Sequence, residues 1–308
     1  MKKKIAIPAA VLIALAVIFY FAFPGPIYQA AIYAGRSSAG LSEKTVQVDD
    51  HRIVYLEGGK GQTVLLVHGY GAEKDNWVMF AKHLTPMYRV VIPDLAGFGD
   101  SSRLPDAAYD IGSQTARLDR FAETVKLDRF HIAGNSMGGQ IAGTYAAEYP
   151  GKVLSLGLLA PAGIKSPEKS ELVKSLEKGT NPLLIDSSAD YDRMLGMLFV
   201  KIPYMPYPVK RTYMEKAVKY RGFNEKIMRD MMRRPLGLEP FLPRIETPTL
   251  ILWGDQDRLL HVSGVKVLEK DIRNHQTVIM KDCGHIPMVE RPAETAGYYL
   301  KFLSSASD

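Results

Sequence analysis

The chain has 308 residues, of which 46% are hydrophobic and 23% charged, a composition typical of a globular protein with one large domain or two smaller ones. The sequence contains no internal repeat and no low-complexity stretch. Its single cysteine, Cys283, excludes an intramolecular disulfide and a zinc site built from several cysteine ligands.

The first residues are basic and then uncharged. Three lysines at residues 2–4 precede nineteen residues without a charge, 5–23. As a helix this stretch would span about 28 Å, close to the hydrocarbon core of a bilayer. We predict a transmembrane anchor at residues 5–23, with residues 1–4 in the cytoplasm and the body on the periplasmic side of the inner membrane. A cleaved signal peptide is the alternative, although its apolar region usually runs about 7 to 15 residues.

Residues 24–43 are the predicted juxtamembrane segment, which the sequence leaves open as an amphipathic helix or a simple tether. Small side chains such as Ala30 and Ala34 would let two helices approach closely. A homodimer through the N-terminal helix is therefore a further expectation.

From Lys44 onward, short apolar strands alternate with amphipathic helices, which predicts an α/β fold with a mostly parallel sheet covered on both faces. We predict eight strands, the first two forming a hairpin: 45–48, 52–57, 63–68, 90–93, 130–136, 153–159, 249–253 and 277–280. The predicted helices are 75–84, 111–125, 137–148 and 292–303.

This alternation stops at residues 163–243, which we predict to be a helical cap inserted into a core of residues 44–162 and 244–308. Residues 165–236 carry 15 Lys and Arg against 9 Asp and Glu, an excess equal to the net charge of +6 of the whole chain. Seven of the 13 methionines lie there too, which suits an adaptable apolar groove, although core packing explains any single one more simply. No nucleic-acid or phosphate-loop motif accompanies the charge, so the expected anionic partner is a phospholipid headgroup of the bilayer.

One serine lies between two glycines where a predicted strand gives way to a helix. Gly134-Asn135-Ser136-Met137-Gly138 fits G-x-S-x-G, the nucleophile elbow, in which the serine has strained backbone angles and bulky neighbours would crowd the turn. The N-terminus of the following helix would stabilise a developing oxyanion. The pattern is short, so an ordinary strand-turn-helix corner stays open until partners are found.

A serine hydroxyl needs a base to take its proton, and the base needs a carboxylate to orient it. Asp255 and Asp257 follow the predicted strand 249–253, and His285 follows the strand 277–280. Both groups lie where parallel strands end, at the rim of the sheet where open α/β folds bind ligands. The residues alone leave either aspartate open as the acid.

Together these segments resemble the α/β-hydrolase superfamily, and within it they are most similar to membrane-anchored monoacylglycerol lipases and bacterial inner-membrane phospholipases A. The similarity covers about residues 45–305 and is carried by five motifs in order: LLVHGYGAEKDNW, IPDLAGFGDSS, GNSMGG, ILWGDQDRLL and CGHIPMVERP. The resemblance implies that Ser136 is the nucleophile, Asp257 the acid and His285 the base.

The same resemblance implies that the backbone N–H groups of Tyr70 and Met137 form the oxyanion hole. It gives His68 the role of shaping the loop that carries Tyr70, and it makes Asp94 structural. His131 is expected in the core.

We therefore expect a serine ester hydrolase that forms an acyl-enzyme and needs no metal and no organic cofactor. The predicted anchor and cap favour a membrane glycerolipid as substrate, cleaved as by a phospholipase A, a lysophospholipase or a monoacylglycerol lipase, with a fatty acid as product. A C–C bond hydrolase or haloperoxidase of the same fold is one alternative. A non-catalytic lipid-binding protein is another, which the presence of all three triad residues disfavours.

Overall fold

Eight strands form one sheet in the computed structural model, which describes residues 9–306. They are β1 (Leu41–Val48), β2 (His51–Gly58), β3 (Thr63–Val67), β4 (Arg89–Pro93), β5 (Phe130–Asn135), β6 (Val153–Leu159), β7 (Thr249–Gly254) and β8 (His275–Met280). Their order is β1-β2-β4-β3-β5-β6-β7-β8. β2 runs antiparallel to both its neighbours, and all other neighbouring strands are parallel. The predicted eight-stranded, mostly parallel sheet is confirmed.

Helices cover both faces of this sheet, as parallel strands joined by crossovers require. They are α1 (Ala9–Ala22), α2 (Pro24–Ser38), α3 (Val78–Ala81), α4 (Ile111–Thr124), α5 (Met137–Glu148), α6 (Glu171–Glu177), α7 (Ser188–Leu198), α8 (Tyr207–Lys219), α9 (Arg221–Arg233), α10 (Val265–Asp271), α11 (Pro287–Glu290) and α12 (Pro292–Ser305). Side chains of α4, α5 and α10 join one buried cluster, and those of α3, α11 and α12 join another. The central strand β3 is buried along its whole length, which explains the run of apolar residues at 64–67.

Two elements differ from their predicted bounds by more than two residues. β1 begins at Leu41, inside the predicted juxtamembrane segment, because Gly40 adopts a φ of +65° and turns the chain directly from α2 into the sheet. The predicted helix 75–84 is replaced by a 3₁₀ turn at Lys74–Trp77 followed by the four-residue α3. The backbone N–H of Lys74 donates to Asp94 Oδ1 at 2.7 Å, which fastens this turn to the end of β4.

The N-terminal helices lie at one side of the sheet. α1 contains no charged residue and has no buried side chain, and α2 docks on the body through the buried Tyr28. No described helix has by itself the length and apolar character of a membrane span. By length and composition alone, Ala9–Ala22 and Pro24–Ser38 qualify together as a broken span, bent by 86°. The predicted cytoplasmic tip, residues 1–4, and the start of the predicted anchor lie outside the described residues.

Four helices, α6 to α9, are inserted between β6 and β7. They contain a small apolar cluster formed by Ile185, Tyr191, Leu195 and Phe199. Three of the seven methionines of this segment pack against that cluster: Met194, Met205 and Met214. Met232 is instead 72% exposed. These three methionines therefore fill the interior of the inserted segment.

Candidate active site

Ser136 lies in a strained turn between β5 and α5. Its backbone angles are φ 57° and ψ −123°, and its side chain is only partly buried. A side chain at Gly134 would place Cβ 2.1 Å from the carbonyl oxygen of Gly138, and one at Gly138 would place Cβ 2.3 Å from that of Val67. Both glycines are thus required by close backbone packing, and the turn has the geometry expected of a nucleophile elbow.

Asp257 and His285 are paired at the carboxyl ends of β7 and β8. His285 Nδ1 lies 2.7 Å from Asp257 Oδ2, and both side chains are almost fully buried. The indole N–H of Trp253 donates to the same carboxylate oxygen at 3.0 Å. Asp257 Oδ1 accepts from the backbone N–H groups of Leu259 and Leu260, each at 2.9 Å. Four donors therefore fix the orientation of this carboxylate.

The neighbouring Asp255 is not a partner of His285. Its carboxylate lies 3.5 Å from Lys281 Nζ, and its backbone N–H donates to the carbonyl oxygen of Met280. Of the two aspartates that the residues alone left open, Asp257 is the one whose carboxylate contacts His285.

Asn135 connects the serine turn to the histidine. Its side-chain N–H donates to the carbonyl oxygens of Leu159 and His285, both at 3.0 Å, so the residue before Ser136 is tied to the His285 backbone. Within residues 9–306, His285 Nε2 is buried without a hydrogen-bond partner. No hydrogen bond therefore joins His285 Nε2 to the Ser136 hydroxyl in this structure. Catalytic hydrogen bonds of this type are often long or poorly aligned until substrate binds.

The loop after β3 lies against Ser136. A Cβ at Gly69 would be 3.1 Å from the Ser136 Cβ, which places the adjoining Tyr70 backbone beside the serine. Neither the Tyr70 N–H nor the Met137 N–H donates to a turn, loop or cap acceptor in the described part of the chain. The Tyr70 hydroxyl donates to the carbonyl oxygen of Asn224 in α9 at 2.7 Å, which joins this loop to the inserted helices.

His68 holds the base of this loop. Its Nδ1 lies 2.8 Å from the carbonyl oxygen of Gly69, and its Nε2 accepts from the backbone N–H of Leu95 at 2.9 Å. One acceptor and one donor at opposite nitrogens require the neutral tautomer with hydrogen on Nδ1. Burial lowers the pKa of His68 to about 4, which keeps the ring in that form. These contacts agree with the expected role in shaping the loop, and His131 is buried as expected.

A buried ionic cluster next to this loop was missed by the sequence analysis. Lys74 Nζ lies 2.8 Å from Asp94 Oδ2 and 2.6 Å from Asp100 Oδ2, and both Lys74 and Asp94 are fully buried. Burial disfavours the charged form of Lys74, but the carboxylates of Asp94, Asp75 and Asp100 outweigh it and raise the pKa of Lys74 above its usual range. Asp94 is thus structural, as its place in the motif implied.

The cluster extends to α2 and α8 through residues adjoining Lys74. Arg36 of α2 makes two 2.6 Å bonds to the carboxylate of Asp75. Tyr28 of α2 donates to Glu73 at 3.2 Å, and Lys216 of α8 contacts the same Glu73 at 3.0 Å. In the sequence, Glu73, Lys74 and Asp75 are simply a run of charge, and no local pattern indicates that their partners come from three distant segments.

Other candidate reactive groups are excluded by their surroundings. Burial raises the pKa of the Cys283 thiol to about 12, so the thiol stays protonated at neutral pH and is a poor nucleophile. In residues 9–306 there is no group of three or more His, Cys, Asp or Glu side chains arranged to hold a metal ion.

The turn at Ser136, the buried Asp–His pair and the mostly parallel sheet are features of the α/β-hydrolase fold. Residues 62–183 and 234–292, more than half of the chain, match the family model for the alpha/beta hydrolase fold. The chain belongs to the α/β-hydrolase family.

Named relatives narrow the class further. The chain is 36% identical over 284 residues to Lipase 1 of Psychrobacter immobilis, covering 90% of this chain and 88% of the lipase. It is 31% identical over 301 residues to monoacylglycerol lipase abhd6-B of Xenopus laevis, covering 93% and 89%. Among solved structures, that of a membrane phospholipase A, described as a bacterial virulence factor, aligns with a TM-score of 0.92 at 46% identity over 97% of both chains. The predicted resemblance is confirmed, and the chain is a carboxylic ester hydrolase.

Proposed function

We propose that this chain is a membrane-anchored serine hydrolase that cleaves acyl ester bonds of glycerolipids through an acyl-enzyme on Ser136. The observation that carries the proposal is the pairing of His285 Nδ1 with Asp257 at 2.7 Å, which leaves the buried His285 Nε2 without a partner. The backbone carbonyl oxygen of His285 is also bonded to the side chain of Asn135, the residue before Ser136. This arrangement leaves one nitrogen of the imidazole to act as base toward the Ser136 hydroxyl.

In the first half of the reaction, His285 Nε2 takes the proton of Ser136 Oγ as that oxygen attacks the ester carbonyl. The N–H groups of Tyr70 and Met137 stabilise the oxyanion of the tetrahedral intermediate. The intermediate then collapses, the C–O bond to the alcohol breaks, and His285 gives its proton to the leaving alkoxide. Asp257 stays ionised throughout and stabilises the imidazolium.

In the second half, His285 takes a proton from water as that water attacks the acyl-enzyme carbonyl. The bond between the acyl carbon and Ser136 Oγ then breaks, His285 returns the proton to Ser136 Oγ, and a fatty acid leaves. Four donors, two on each oxygen, hold the Asp257 carboxylate in one orientation. The Asp257 carboxylate is therefore already oriented toward His285 before substrate binds.

A glycerolipid substrate is supported by the relatives and by the predicted architecture. The relatives are a lipase, a monoacylglycerol lipase and a membrane phospholipase A. In this proposal residues 163–243 form the cap on a core of residues 44–162 and 244–308, and the excess of positive charge in the cap favours lipids with an anionic headgroup. The expected activities are those of a phospholipase A, a lysophospholipase or a monoacylglycerol lipase.

We place the active domain at the periplasmic face of the inner membrane, anchored by residues 5–23. The described part of that segment, α1, exposes eight large apolar side chains and carries no charge, which suits lipid and is costly in water. Ala30 and Ala34 of α2 are exposed, which is compatible with a homodimer through the N-terminal helices. Crosslinking at native membrane density that yields only monomer would count against the dimer.

Fluorophosphonate labelling and a substrate panel test the proposal together. The intact protein should react with the probe at Ser136 and hydrolyse phospholipids, lysophospholipids and monoacylglycerols. Ser136→Ala should lose labelling and lower turnover by a factor on the order of 10⁴ or more. Its matched control is Ser175→Ala in α6, which should keep both. A Ser136→Ala protein that folds normally and still hydrolyses p-nitrophenyl esters would refute the assignment.

A further inference from the structure

The loop between α7 and α8, residues 199–206, together with Tyr207 presents apolar side chains to the outside. We call residues 200–207 the membrane loop. Val200 is 38% exposed, Ile202 47%, Tyr204 89% and Tyr207 39%. Single exposed apolar residues are common on protein surfaces, but four within eight consecutive residues form a patch that favours contact with another apolar phase.

The C-terminal end of the membrane loop contacts the C-terminal end of α1. The Tyr207 ring packs against Phe21 with centroids 5.0 Å apart and lies 6.4 Å from the Tyr20 ring. The backbone N–H of Tyr207 also donates to the Tyr20 hydroxyl at 3.1 Å. Tyr207 therefore joins the membrane loop to the uncovered apolar surface of α1 at its C-terminal end.

We propose that the membrane loop is a second lipid-contact element, which enters the interfacial region of the same bilayer that holds α1. The proposal rests on the proposed insertion of α1. Tyrosine suits this depth because its ring is apolar while its hydroxyl can stay hydrated, and two tyrosines lie in the loop.

The contact is apolar in character. The two basic residues that begin α8 are already paired within the protein: Lys210 Nζ lies 2.7 Å from Asp192, and Arg211 Nε lies 2.8 Å from Glu215. The charges of Lys210 and Arg211 are therefore largely neutralised by carboxylates of the protein itself. Within the membrane loop itself, Lys201 is the one charged residue and its side chain is exposed. A single lysine near an anionic surface contributes only about 1 kcal/mol, so insertion of the loop should depend little on anionic lipid or on salt.

The beginning of the same loop is bonded to the active site. The carbonyl oxygen of Leu198 accepts from the His285 backbone N–H at 2.8 Å. The N–H of Lys201 donates to Glu290 at 2.8 Å, and the same carboxylate accepts from the Gly284 N–H at 2.9 Å. Lipid contact at Ile202 and Tyr204 would thus be transmitted over a few residues to the segment that holds His285.

Tryptophan reporters test the lipid contact in the full-length protein. Trp77 and Trp253 are fully buried, so they give a constant background. Tyr204→Trp reports on the loop, Phe19→Trp on α1, and Met87→Trp is the control. Met87 is 56% exposed and precedes β4, at the opposite rim of the sheet from the ends of β7 and β8.

Each reporter is placed in the Ser136→Ala background, so that lipid is not consumed, and reconstituted in phosphatidylcholine vesicles with or without brominated acyl chains. We expect bromine to quench Tyr204→Trp at least about twofold more than Met87→Trp, because quenching needs contact with the acyl region. Raising the salt from about 0.1 M to about 1 M should leave this difference unchanged, since only charge contacts are screened.

The outcomes separate the two proposals. If Phe19→Trp is quenched while Tyr204→Trp behaves like Met87→Trp, the anchor stands and the membrane loop is refuted. If Phe19→Trp is not quenched either, the proposed insertion of α1 fails and the membrane loop fails with it. If quenching of Tyr204→Trp disappears at high salt, the contact of the membrane loop with lipid is electrostatic and the proposed apolar contact is refuted.

Activity gives an independent measurement. The double variant Ile202→Ser with Tyr204→Ser should lower hydrolysis of vesicle phospholipid by roughly three- to tenfold, because it removes apolar contact area. Hydrolysis of a short soluble ester should stay within about twofold, since neither side chain belongs to the catalytic groups. Met232→Ser, at another exposed apolar residue of the inserted helices, should change neither rate. Equal losses on both substrates would contradict a role in lipid contact.

Discussion

Two buried carboxylates, Asp94 and Asp257, follow parallel strands at the same rim of the sheet, yet their partners differ. Asp94 accepts from the Lys74 N–H, the Lys74 ammonium and the Asp100 N–H at 2.7 to 2.8 Å. Asp257 accepts from three N–H groups of the protein and from His285, whose second ring nitrogen has no partner within residues 9–306. A buried ion cluster with all its partners inside the protein holds structure, whereas one with a free proton site can do chemistry.

The largest expected effect is on turnover, from Asp257→Asn. The amide keeps the size of the side chain but removes the charge that orients and stabilises the imidazolium, so we expect turnover to fall by a factor on the order of 10⁴. Asp255→Asn is the matched control, because Asp255 pairs with Lys281 and not with His285. Steady-state rates on a soluble ester measure both variants. A comparable loss in Asp255→Asn with an unaffected Asp257→Asn would reverse the assignment.

The next effect is on stability, from Asp94→Asn. This change takes from the buried Lys74 ammonium its one fully buried carboxylate and leaves it with Asp100 and Asp75. Removing one partner of a buried pair typically costs about 3 to 5 kcal/mol, and the carboxylates that stay should hold the loss near the lower figure. The free energy of unfolding in detergent, measured by urea titration, should fall accordingly. Turnover of the fraction that stays folded should fall far less than in Asp257→Asn.

The double variant Asp94→Leu with Lys74→Met is the control for that cost. Because no unpaired charge then stays buried, the double variant should lose clearly less stability than the sum of the losses in Asp94→Leu and Lys74→Met measured singly. Additive losses would mean that the two residues act independently, contrary to the 2.8 Å contact between them.

The third effect is a pH dependence of the free energy of unfolding that comes from His68. Burial lowers the pKa of His68 from 6.5 to about 4, so the unfolded chain takes up a proton at a pH where the folded protein does not. The contribution of His68 to the free energy of unfolding is fully present above about pH 6.5 and is lost as the pH falls toward about 4. Between pH 7 and pH 5 the wild type should lose about 2 kcal/mol more than His68→Gln, since one pH unit corresponds to about 1.4 kcal/mol.

Urea titrations of the two proteins at both pH values measure that difference. His131 is also buried and its pKa is also lowered to about 4, but it is present in both proteins and its effect cancels. Equal losses in the wild type and in His68→Gln would show that His68 does not contribute to the acid sensitivity.

The sequence predicts the parts of the fold that depend on local pattern. The strands of the sheet and the turn at Ser136 are marked by apolar runs and by Gly134 and Gly138, whose need for small size is a local property of the backbone. The order of Asp257 and His285 after their strands is also local. The distance between the two side chains is not, because it depends on the alignment of β7 with β8.

The ionic cluster could not be predicted in the same way. Lys74 is followed by Asp75 and preceded by Glu73, which suggests a solvated turn, and the structure instead buries Lys74 completely. Its partner Asp94 comes from the end of another strand, and Arg36 and Lys216 come from helices with no patterned relation to it. Long-range pairing of charges leaves no periodic signal in a single sequence, so both the cluster and the shortened helix at 75–84 escaped prediction.

The smallest effect tests how far the ionic cluster extends toward α2. Burial and the nearby Glu73 carboxylate raise the pKa of Tyr28 to about 12, so its hydroxyl stays protonated and donates to Glu73 at 3.2 Å. Tyr28→Phe removes that bond and the contact with Lys216, and we expect a loss of about 1 kcal/mol in the free energy of unfolding. Tyr33→Phe on the same helix, 75% exposed, should change it by less than about 0.5 kcal/mol. If the two variants match while Asp94→Asn is strongly destabilised, the Tyr28 bond is energetically separate from the Lys74 pair, and α2 is held by Arg36 and by apolar packing.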